Sequence, residues 1–260
     1  MDDNYQTYVN RVARMTLPDA YLTQLEHIHE SPKFAPDAMG RRRAVPFPGY
    51  SIVTPPGGED VDNADFYQNL ADCQQKLGQI LGPKFWATIP PDSFHFTLAD
   101  LIWDGAYLDA SQKIPEFDRK LQDAIAESFT TFEGEKNDQS IRWQVLGLMV
   151  MPRAVGVCLV PRDEGAYEAI LKFRRAIYQN SNLIALGIDQ QYHLTAHITL
   201  GYFAEISPDL DRDKLAHQFS EFNHRWLDNP QEIWVRRAEL RQFQDMTAYK
   251  REPSWPAIAF

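Results

Sequence analysis

Two short stretches of this chain carry a histidine and a threonine at the same spacing. They read Phe94-His95-Phe96-Thr97-Leu98 and Ala196-His197-Ile198-Thr199-Leu200. Because side chains alternate between the faces of a β-strand, each stretch would place its histidine and threonine on one face and three apolar residues on the other. Two histidines over a shared pocket could act as general acid and general base, and two hydroxyls could stabilise an oxyanion.

The motif is more frequent than chance placement gives. The chain holds 7 histidines and 11 threonines, which predicts about 0.3 His-x-Thr triplets, yet there are three. The third, His193-Leu194-Thr195, lies just before the second motif and leaves open which histidine acts there. We prefer His197, because apolar residues alternate around it, whereas His193 follows a polar segment. A structural repeat without chemistry is the alternative interpretation.

A metal site is another interpretation of the histidines. In a helix, His193 and His197 would lie one turn apart, as metal-binding pairs do. No glutamate lies between them in the pattern of a zinc hydrolase, and the β-branched residues beside them favour a strand. His27 and His29 fit a solvated helix face. We therefore expect neither a metal ion nor a cofactor.

Both motifs belong to a longer repeat. A helix predicted at about 64–81 and a second at about 166–179 carry matching apolar positions 100 residues apart: Phe66, Leu70, Cys73 and Leu77 in the first, and Ala166, Ile170, Phe173 and Ile177 in the second. Strands are predicted before them, at about 50–54 in the first half and at about 141–150 and 155–160 in the second. This internal duplication predicts an α+β fold with two lobes around one cleft.

The remaining segments complete the predicted organisation. We expect two helices within residues 1–30, a connector at 31–48, helices at about 115–129 and 208–226, a crossing between lobes at 133–140, and one or two strands between 232 and 249. Residues 1–43 are then a helical extension with its connector, and residues 44–260 a single bilobal domain. Its lobes span about 44–132 and 141–260.

Composition limits the class of protein and of partner. The net charge of −10 argues against non-specific binding of long polyanions, which depends on many lysines and arginines. The triplet Arg41-Arg42-Arg43 is an exception that usually means a solvated face. Cys73 and Cys158 fit reduced core residues. With no signal peptide or spanning segment in the pattern, we expect a cytoplasmic monomer that does not bind membranes.

At the two motifs the chain resembles the two-histidine phosphoesterase superfamily, which includes cyclic nucleotide phosphodiesterases and bacterial proteins named 2′-5′ RNA ligases. Phe47-Pro48-Gly49, the string from Ile89 to Thr97, and His197-Ile198-Thr199-Leu200-Gly201-Tyr202 are similar to a bacterial branch of it. The resemblance covers about residues 44–250. It implies two pseudo-symmetric lobes, each an antiparallel sheet flanked by helices, with the motifs facing across a central cleft.

The resemblance also implies roles and a substrate class. His95 and His197 correspond to the catalytic histidines, and Thr97 and Thr199 to the phosphate-binding hydroxyls. The implied activity is metal-independent hydrolysis of a 2′,3′-cyclic nucleotide, a related ribose cyclic phosphate or a 2′-5′ linkage. Alternatives are an RNA ligase, an enzyme that processes RNA 3′ ends, and a module that binds a nucleotide or RNA end without turnover. Further candidate substrate contacts are Tyr202, Tyr50 and Arg43.

Overall fold

The computed structural model of the chain describes residues 2–133 and 141–260. Within them the helices are α1 (Tyr5–Met15), α2 (Pro18–Glu26), α3 (Ala64–Leu81), α4 (Asp104–Lys113), α5 (Phe117–Glu133), α6 (Glu164–Tyr178), α7 (Ser181–Ala185) and α8 (Arg212–Asp228). The strands are β1 (Phe34–Pro36), β2 (Arg42–Ala44), β3 (Gly49–Val53), β4 (Trp86–Thr88), β5 (Thr97–Trp103), β6 (Arg142–Met151), β7 (Ala154–Pro161), β8 (His197–Phe203), β9 (Glu232–Trp234), β10 (Arg237–Phe243), β11 (Tyr249–Lys250) and β12 (Ala257–Ala259).

The described strands pair antiparallel throughout. A first sheet has the order β11-β10-β3-β5, with β12 also paired to β10, and a second has the order β4-β8-β7-β6-β9. β1 and β2 form a separate hairpin. Helices cover the sheets, and the apolar side chains between the layers form one continuous buried core. The predicted α+β class with antiparallel sheets is therefore confirmed.

Sheet membership does not follow the order of the chain. β4, from the first half, pairs with β8 in the second sheet. In return β10, from the end of the chain, inserts beside β3 in the first sheet, with Leu240 opposite Ile52. The lobe boundaries at 44–132 and 141–260 thus divide the sequence repeat but not the sheets. The crossing predicted at 133–140 lies, from residue 134 onward, outside the described residues.

Most predicted helices form where apolar periodicity indicated them. Asn4 caps α1 by accepting a hydrogen bond from the Thr7 amide, and Asp163 caps α6 in the same way through Ala166. α3 ends at Gly82, whose φ of 78° suits glycine. Helix α4 was not predicted because a single one of its residues, Tyr107, is buried, so it shows little periodicity. Across the described residues, no helix has the length and apolar character needed to cross a bilayer.

The two motif histidines, His95 and His197, differ slightly in their local structure. His197 is the first residue of β8, whereas His95 lies two residues before β5, so the first motif is only partly in a strand. Burial nevertheless alternates in both motifs as predicted. Phe96 continues the sheet pattern, since its carbonyl accepts a hydrogen bond from the Thr54 amide and its amide donates to Thr54 Oγ1.

Each motif strand contains a β-bulge directly after its threonine. Thr97 lies opposite Val53 and Ala99 opposite Ile52, so Leu98 is an extra residue in β5. In β8, Leu200 is the extra residue, between Thr199 and Gly201. A bulge leaves a residue out of the ladder and reverses the alternation that follows it. The duplication therefore extends to the irregularities of the backbone.

The carbonyl of each extra residue accepts a hydrogen bond from a buried helix side chain. Gln74 of α3 donates to Leu200 O and Arg174 of α6 donates to Leu98 O, each at 2.7 Å. These donors lie 100 residues apart, as the repeat requires. Each helix supports the motif strand of the other half. An unpaired buried carbonyl would be costly, so these contacts stabilise the bulges.

Arg174 has a further role at the amino-terminal extension. Its guanidinium pairs with Asp2 at 2.9 Å, and the two side chains are 5% and 7% exposed. It also donates to Tyr192 O, while Asp2 accepts from the Leu194 amide at 2.6 Å. The extension is thereby connected to the segment that leads into the second motif.

We predict that Arg174→Met lowers the free energy of unfolding by about 3–5 kcal/mol, since it removes the ion-pair partner of the buried Asp2 carboxylate and the side-chain hydrogen bond that Leu98 O accepts. Urea unfolding measures the change. Arg175→Met is the matched control, because Arg175 is the exposed neighbour on the same helix. Equal midpoints for the two variants would contradict the structural role of Arg174.

Candidate functional site

The two motifs meet at one cavity of about 490 Å³ between the sheets. His95 and Thr97 line it from the first sheet, and His197 and Thr199 line it from the second. Its other lining residues are Ser31, Pro32, Lys33, Phe47, Ser51, Ile89, Asp100, Trp103, Asp104, Arg153, Tyr192, Tyr202, Phe243, Met246 and Tyr249. The four principal site residues predicted from the sequence are therefore brought together.

The bulges decide which further residues face the cavity. After the extra residue in each strand, the next cavity-lining side chain comes five positions after the histidine: Asp100 in β5 and Tyr202 in β8. Strict alternation would have directed a different residue there. The two halves thus present the same backbone geometry but different chemistry, a carboxyl group on one side and a phenol on the other.

Both imidazoles are held in the same way. His95 Nδ1 lies 2.7 Å from Ser93 O, and His197 Nδ1 lies 2.7 Å from Thr195 O. A carbonyl oxygen can only accept, so each Nδ1 carries a proton and donates it. Each Nε2 is left to accept a proton when the ring is neutral or to donate one when it is charged. This tautomer is the one that acid-base chemistry at Nε2 requires.

The threonine hydroxyls are available to a ligand. In the described parts of the chain, neither Thr97 nor Thr199 uses its Oγ1 in a hydrogen bond, although both side chains are half-buried. A hydroxyl can donate one hydrogen bond and accept others. Two such donors beside two imidazoles are suited to a bound oxyanion.

The surroundings of His95 favour its neutral form. Burial is the largest influence and lowers the pKa of its imidazole from 6.5 to about 4, opposed in part by the hydrogen bond to Ser93. The charges of His197 and Arg241 lower the pKa further. The ring of Tyr249 packs on the imidazole, with 4.0 Å between the ring centroids. His95 is therefore uncharged at neutral pH.

Asp100 adds a carboxyl group to the cavity from β5, the strand that also carries Thr97. Burial raises the pKa of its carboxyl, and the largest opposing influence is the charge of His197, ahead of Arg174 and Lys33. Its backbone carbonyl accepts a hydrogen bond from Tyr178. Asp100 and His197 thus lie close enough to interact electrostatically.

Two of the candidate substrate contacts, Tyr50 and Arg43, do not line the cavity. Tyr50 does not line the cavity: it is 1% exposed, and its ring packs against Tyr107 and Trp255 in the core. Its neighbour Ser51 faces the cavity instead, because adjacent strand residues point to opposite faces. Arg43 is exposed on β2 and pairs with Asp37 at 3.4 Å, away from the cavity lining.

The remaining candidates lie as follows. Tyr202 lines the cavity, and its hydroxyl lies 3.3 Å from Met246 Sδ. His193 is exposed and lies 3.8 Å from Asp3, outside the cavity lining.

Cys73 and Cys158 are buried and unpaired, as predicted. Among the described residues, no group of three His, Cys, Asp or Glu side chains is arranged to hold a metal ion.

Several lining residues were not predicted. Trp103 and Tyr192 form a nearly parallel pair with ring centroids 6.4 Å apart and an interplanar angle of 21°. Trp103 follows Asp100 by three positions, a spacing that alternation does not indicate. Lys33 comes from the extension, outside the repeat. No signal in the sequence links these residues to the motifs.

The fold is similar to that of solved structures. A conserved protein of unknown function from Agrobacterium tumefaciens, ATU0111, matches with a TM-score of 0.59 and 14% identity, over 89% of this chain and 96% of that one. TT0787 of Thermus thermophilus matches with a TM-score of 0.46 and 15% identity, over 81% of this chain and 93% of that one. E. coli LigT complexed with 3′-AMP matches with a TM-score of 0.44 and 14% identity, over 83% of this chain and 98% of that one. At these identities the likeness concerns the fold alone.

Comparisons by sequence add nothing to this result. No protein-family model matches the chain. No curated protein matches it either.

The lowered pKa of His95 predicts a pH dependence of stability. The unfolded chain, with an ordinary imidazole pKa near 6.5, binds more protons than the folded chain between about pH 6.5 and pH 4. The free energy of unfolding should therefore fall as the pH drops through this window, by at most about 1.4 kcal/mol per pH unit. His95→Asn should flatten that slope, as measured by urea unfolding at several pH values.

His217→Asn is the control, because the His217 side chain on α8 is 72% exposed. It should leave the slope as in the wild type. If His95→Asn retains the wild-type slope, His95 does not stay neutral in the folded protein.

Proposed function

We propose that the chain is a two-histidine phosphoesterase that hydrolyses a ribose cyclic phosphate, such as a 2′,3′-cyclic nucleotide, or a 2′-5′ linkage. The observation that carries this proposal is the meeting of two His/Thr pairs in one cavity, with both imidazoles oriented through Nδ1. The motif resemblance supports the same reaction. The cavity volume of about 490 Å³ suits a small nucleotide.

In the proposed reaction, His95 is the general base and His197 the general acid. Nε2 of His95 removes a proton from water as the water oxygen attacks phosphorus. The bond between phosphorus and one ribose oxygen breaks, and Nε2 of His197 supplies the proton to that oxygen. The hydroxyls of Thr97 and Thr199 donate hydrogen bonds to the non-bridging oxygens, where negative charge develops.

The assignment of base and acid rests on the asymmetry of the cavity. A base must be neutral before the reaction, and burial keeps the pKa of His95 at about 4. The general acid must carry a proton, and the carboxyl group of Asp100, whose pKa the charge of His197 lowers against the effect of burial, lies in the same cavity as His197. The reverse assignment would require a protonated His95 at neutral pH, which its surroundings oppose.

The nucleoside part of the substrate has candidate contacts of its own. Trp103 and Tyr192 offer aromatic faces at the cavity, and Tyr192 is 64% exposed. Stacking of a base on an aromatic side chain contributes about 1–3 kcal/mol. We also take residues 44–260 as one catalytic domain, because strands of each half complete the sheet of the other.

Substitution of either histidine tests the reaction. His95→Ala and His197→Ala should each lower kcat for 2′,3′-cyclic nucleotides by about 10²–10⁴-fold, the usual contribution of general acid-base groups. His193→Ala is the matched control and should keep most of the activity, since this exposed residue lies outside the cavity lining. Products are followed by phosphorus NMR.

Two outcomes would contradict these assignments. An inactive His193→Ala variant beside an active His197→Ala variant would mean that the second histidine is misassigned. A wild-type protein that binds cyclic nucleotides without cleaving them would be a binding module rather than an enzyme.

The pH profile of kcat/KM tests which histidine is the base. Because kcat/KM reports the free enzyme, the acid limb should lie below pH 6.5, towards the pKa of about 4 of His95. Asp100→Asn should leave this acid limb in place, because Asp100 is not among the influences on the pKa of His95. Asp104→Asn, in the same cavity, is the control. Activity confined to acidic pH would instead make His95 the acid.

A further inference from the structure

The amino-terminal extension reaches the cavity through residues 29–34. The His29 amide donates to Pro152 O at 2.7 Å and the Ser31 amide to Phe203 O at 2.9 Å, so this segment is fixed along the second sheet. The Lys33 carbonyl accepts a hydrogen bond from the Val45 amide at 3.0 Å. The backbone around Lys33 is thus held at both sides.

The side chain of Lys33 lies inside the cavity. Its Nζ is 4.4 Å from the ring centroid of Phe47 and 5.1 Å from that of Tyr202, so the ammonium group contacts two aromatic faces. Within the described residues, no carboxylate lies within 4 Å of Nζ. Burial lowers the pKa of Lys33 to about 8, with a smaller opposing influence from Asp100. A half-buried ammonium group without an ion-pair partner is able to bind an anion.

A second cation lies in the same part of the cavity. Arg153, in the turn between β6 and β7, lines the cavity and its charge acts on Lys33. The nearest carboxyl groups of the lining are Asp100 and Asp104. Among the charges that lower the pKa of Asp100, that of His197 exceeds that of Lys33. Among the described residues, neither Lys33 nor Arg153 forms an ion pair with these acids.

The reacting phosphate does not require these two cations. It carries one negative charge, and the two His/Thr pairs already supply hydroxyl donors and an imidazolium for it. Lys33 is positioned by the extension rather than by either motif strand. A substrate that used only the His/Thr pairs would leave the half-buried ammonium group of Lys33 without an anionic partner, which is unfavourable.

We propose that Lys33 and Arg153 form an anion subsite for a second phosphate of the substrate, apart from the phosphate that is cleaved. This inference rests on the proposed function, since it specifies the substrate class of the same cavity. The favoured substrates are ribose cyclic phosphates with a further phosphate, either a 5′-phosphate on a mononucleotide or the linking phosphate of an oligonucleotide end.

Kinetics with matched substrates test the proposal. Adenosine 2′,3′-cyclic phosphate is compared with its 5′-phosphorylated form and with a dinucleotide that ends in a 2′,3′-cyclic phosphate. The wild type should prefer one or both of the substrates with a second phosphate by about 10- to 100-fold in kcat/KM, because a charge-assisted hydrogen bond contributes a factor of this size. Preference for the 5′-phosphorylated form identifies a mononucleotide, and preference for the dinucleotide alone identifies an oligonucleotide end.

Lys33→Met should abolish this preference, because it should lower kcat/KM for the substrates with a second phosphate by about 10- to 100-fold more than for the substrate without one. The methionine keeps an apolar stem against Phe47 and Tyr202, and Lys33→Arg should restore part of the preference. Lys84→Met, at an exposed lysine outside the cavity lining, is the control. An equal loss for all substrates in Lys33→Met would overturn the proposal, because Lys33 would then act on the cleaved phosphate or on Asp100.

Binding measurements separate this inference from the proposed activity. Adenosine 3′-phosphate and adenosine 3′,5′-bisphosphate are monoesters, so calorimetry can compare their affinities without turnover. The bisphosphate should bind the wild type about 10- to 100-fold more tightly, and Lys33→Met should remove the difference. If this holds although no cyclic phosphate is cleaved, the proposed activity fails and the subsite stands. A preference that survives in Lys33→Met refutes the subsite.

Discussion

The site depends on the carbonyl groups of the two bulged residues. Each motif strand bulges after its threonine, and the carbonyls of Leu98 and Leu200 accept hydrogen bonds from Arg174 and Gln74 of the opposite half, with a longer bond of 3.4 Å from the Ile89 amide to Leu200 O. These contacts allow two irregular strands to exist inside a packed core, where an orphan carbonyl would be costly. Since the bulges direct Asp100 and Tyr202 into the cavity, the same two contacts also select its chemistry.

The bulge after the threonine recurs in both halves of the repeat, whereas the charges around the two bulges differ. A neutral amide at Gln74 needs no counter-ion, whereas the buried guanidinium at Arg174 is compensated by Asp2. That pairing makes the amino-terminal extension part of the structure around both motifs. It also brings the extension to the cavity, where Lys33 adds a cation that neither half of the repeat supplies. As a result His95 and His197, whose imidazoles are held in the same way, lie in different electrostatic surroundings.

The sequence predicts those features that follow from local periodicity. Alternating apolar residues identified the motifs, and helical spacing identified α3 and α6, because these signals lie within a few neighbouring residues. Asp100 and Trp103 were missed because a bulge resets the alternation, and Tyr50 was misplaced by one position of a strand. Lys33 and the exchange of β4 with β10 depend on contacts between distant segments. Local sequence patterns do not predict such long-range contacts.

The insertion of β10 beside β3 has a consequence for how the chain folds. Ile52 acquires its partner Leu240 only across an intervening 187 residues, so closing this ladder requires a long loop and a large loss of chain entropy. The first sheet must remain an unfinished β3-β5 pair until the carboxyl-terminal strands have been synthesised. Formation of the cleft is accordingly a late event that requires β10 to dock beside β3, and a nascent chain that does not yet include β10 would not possess it.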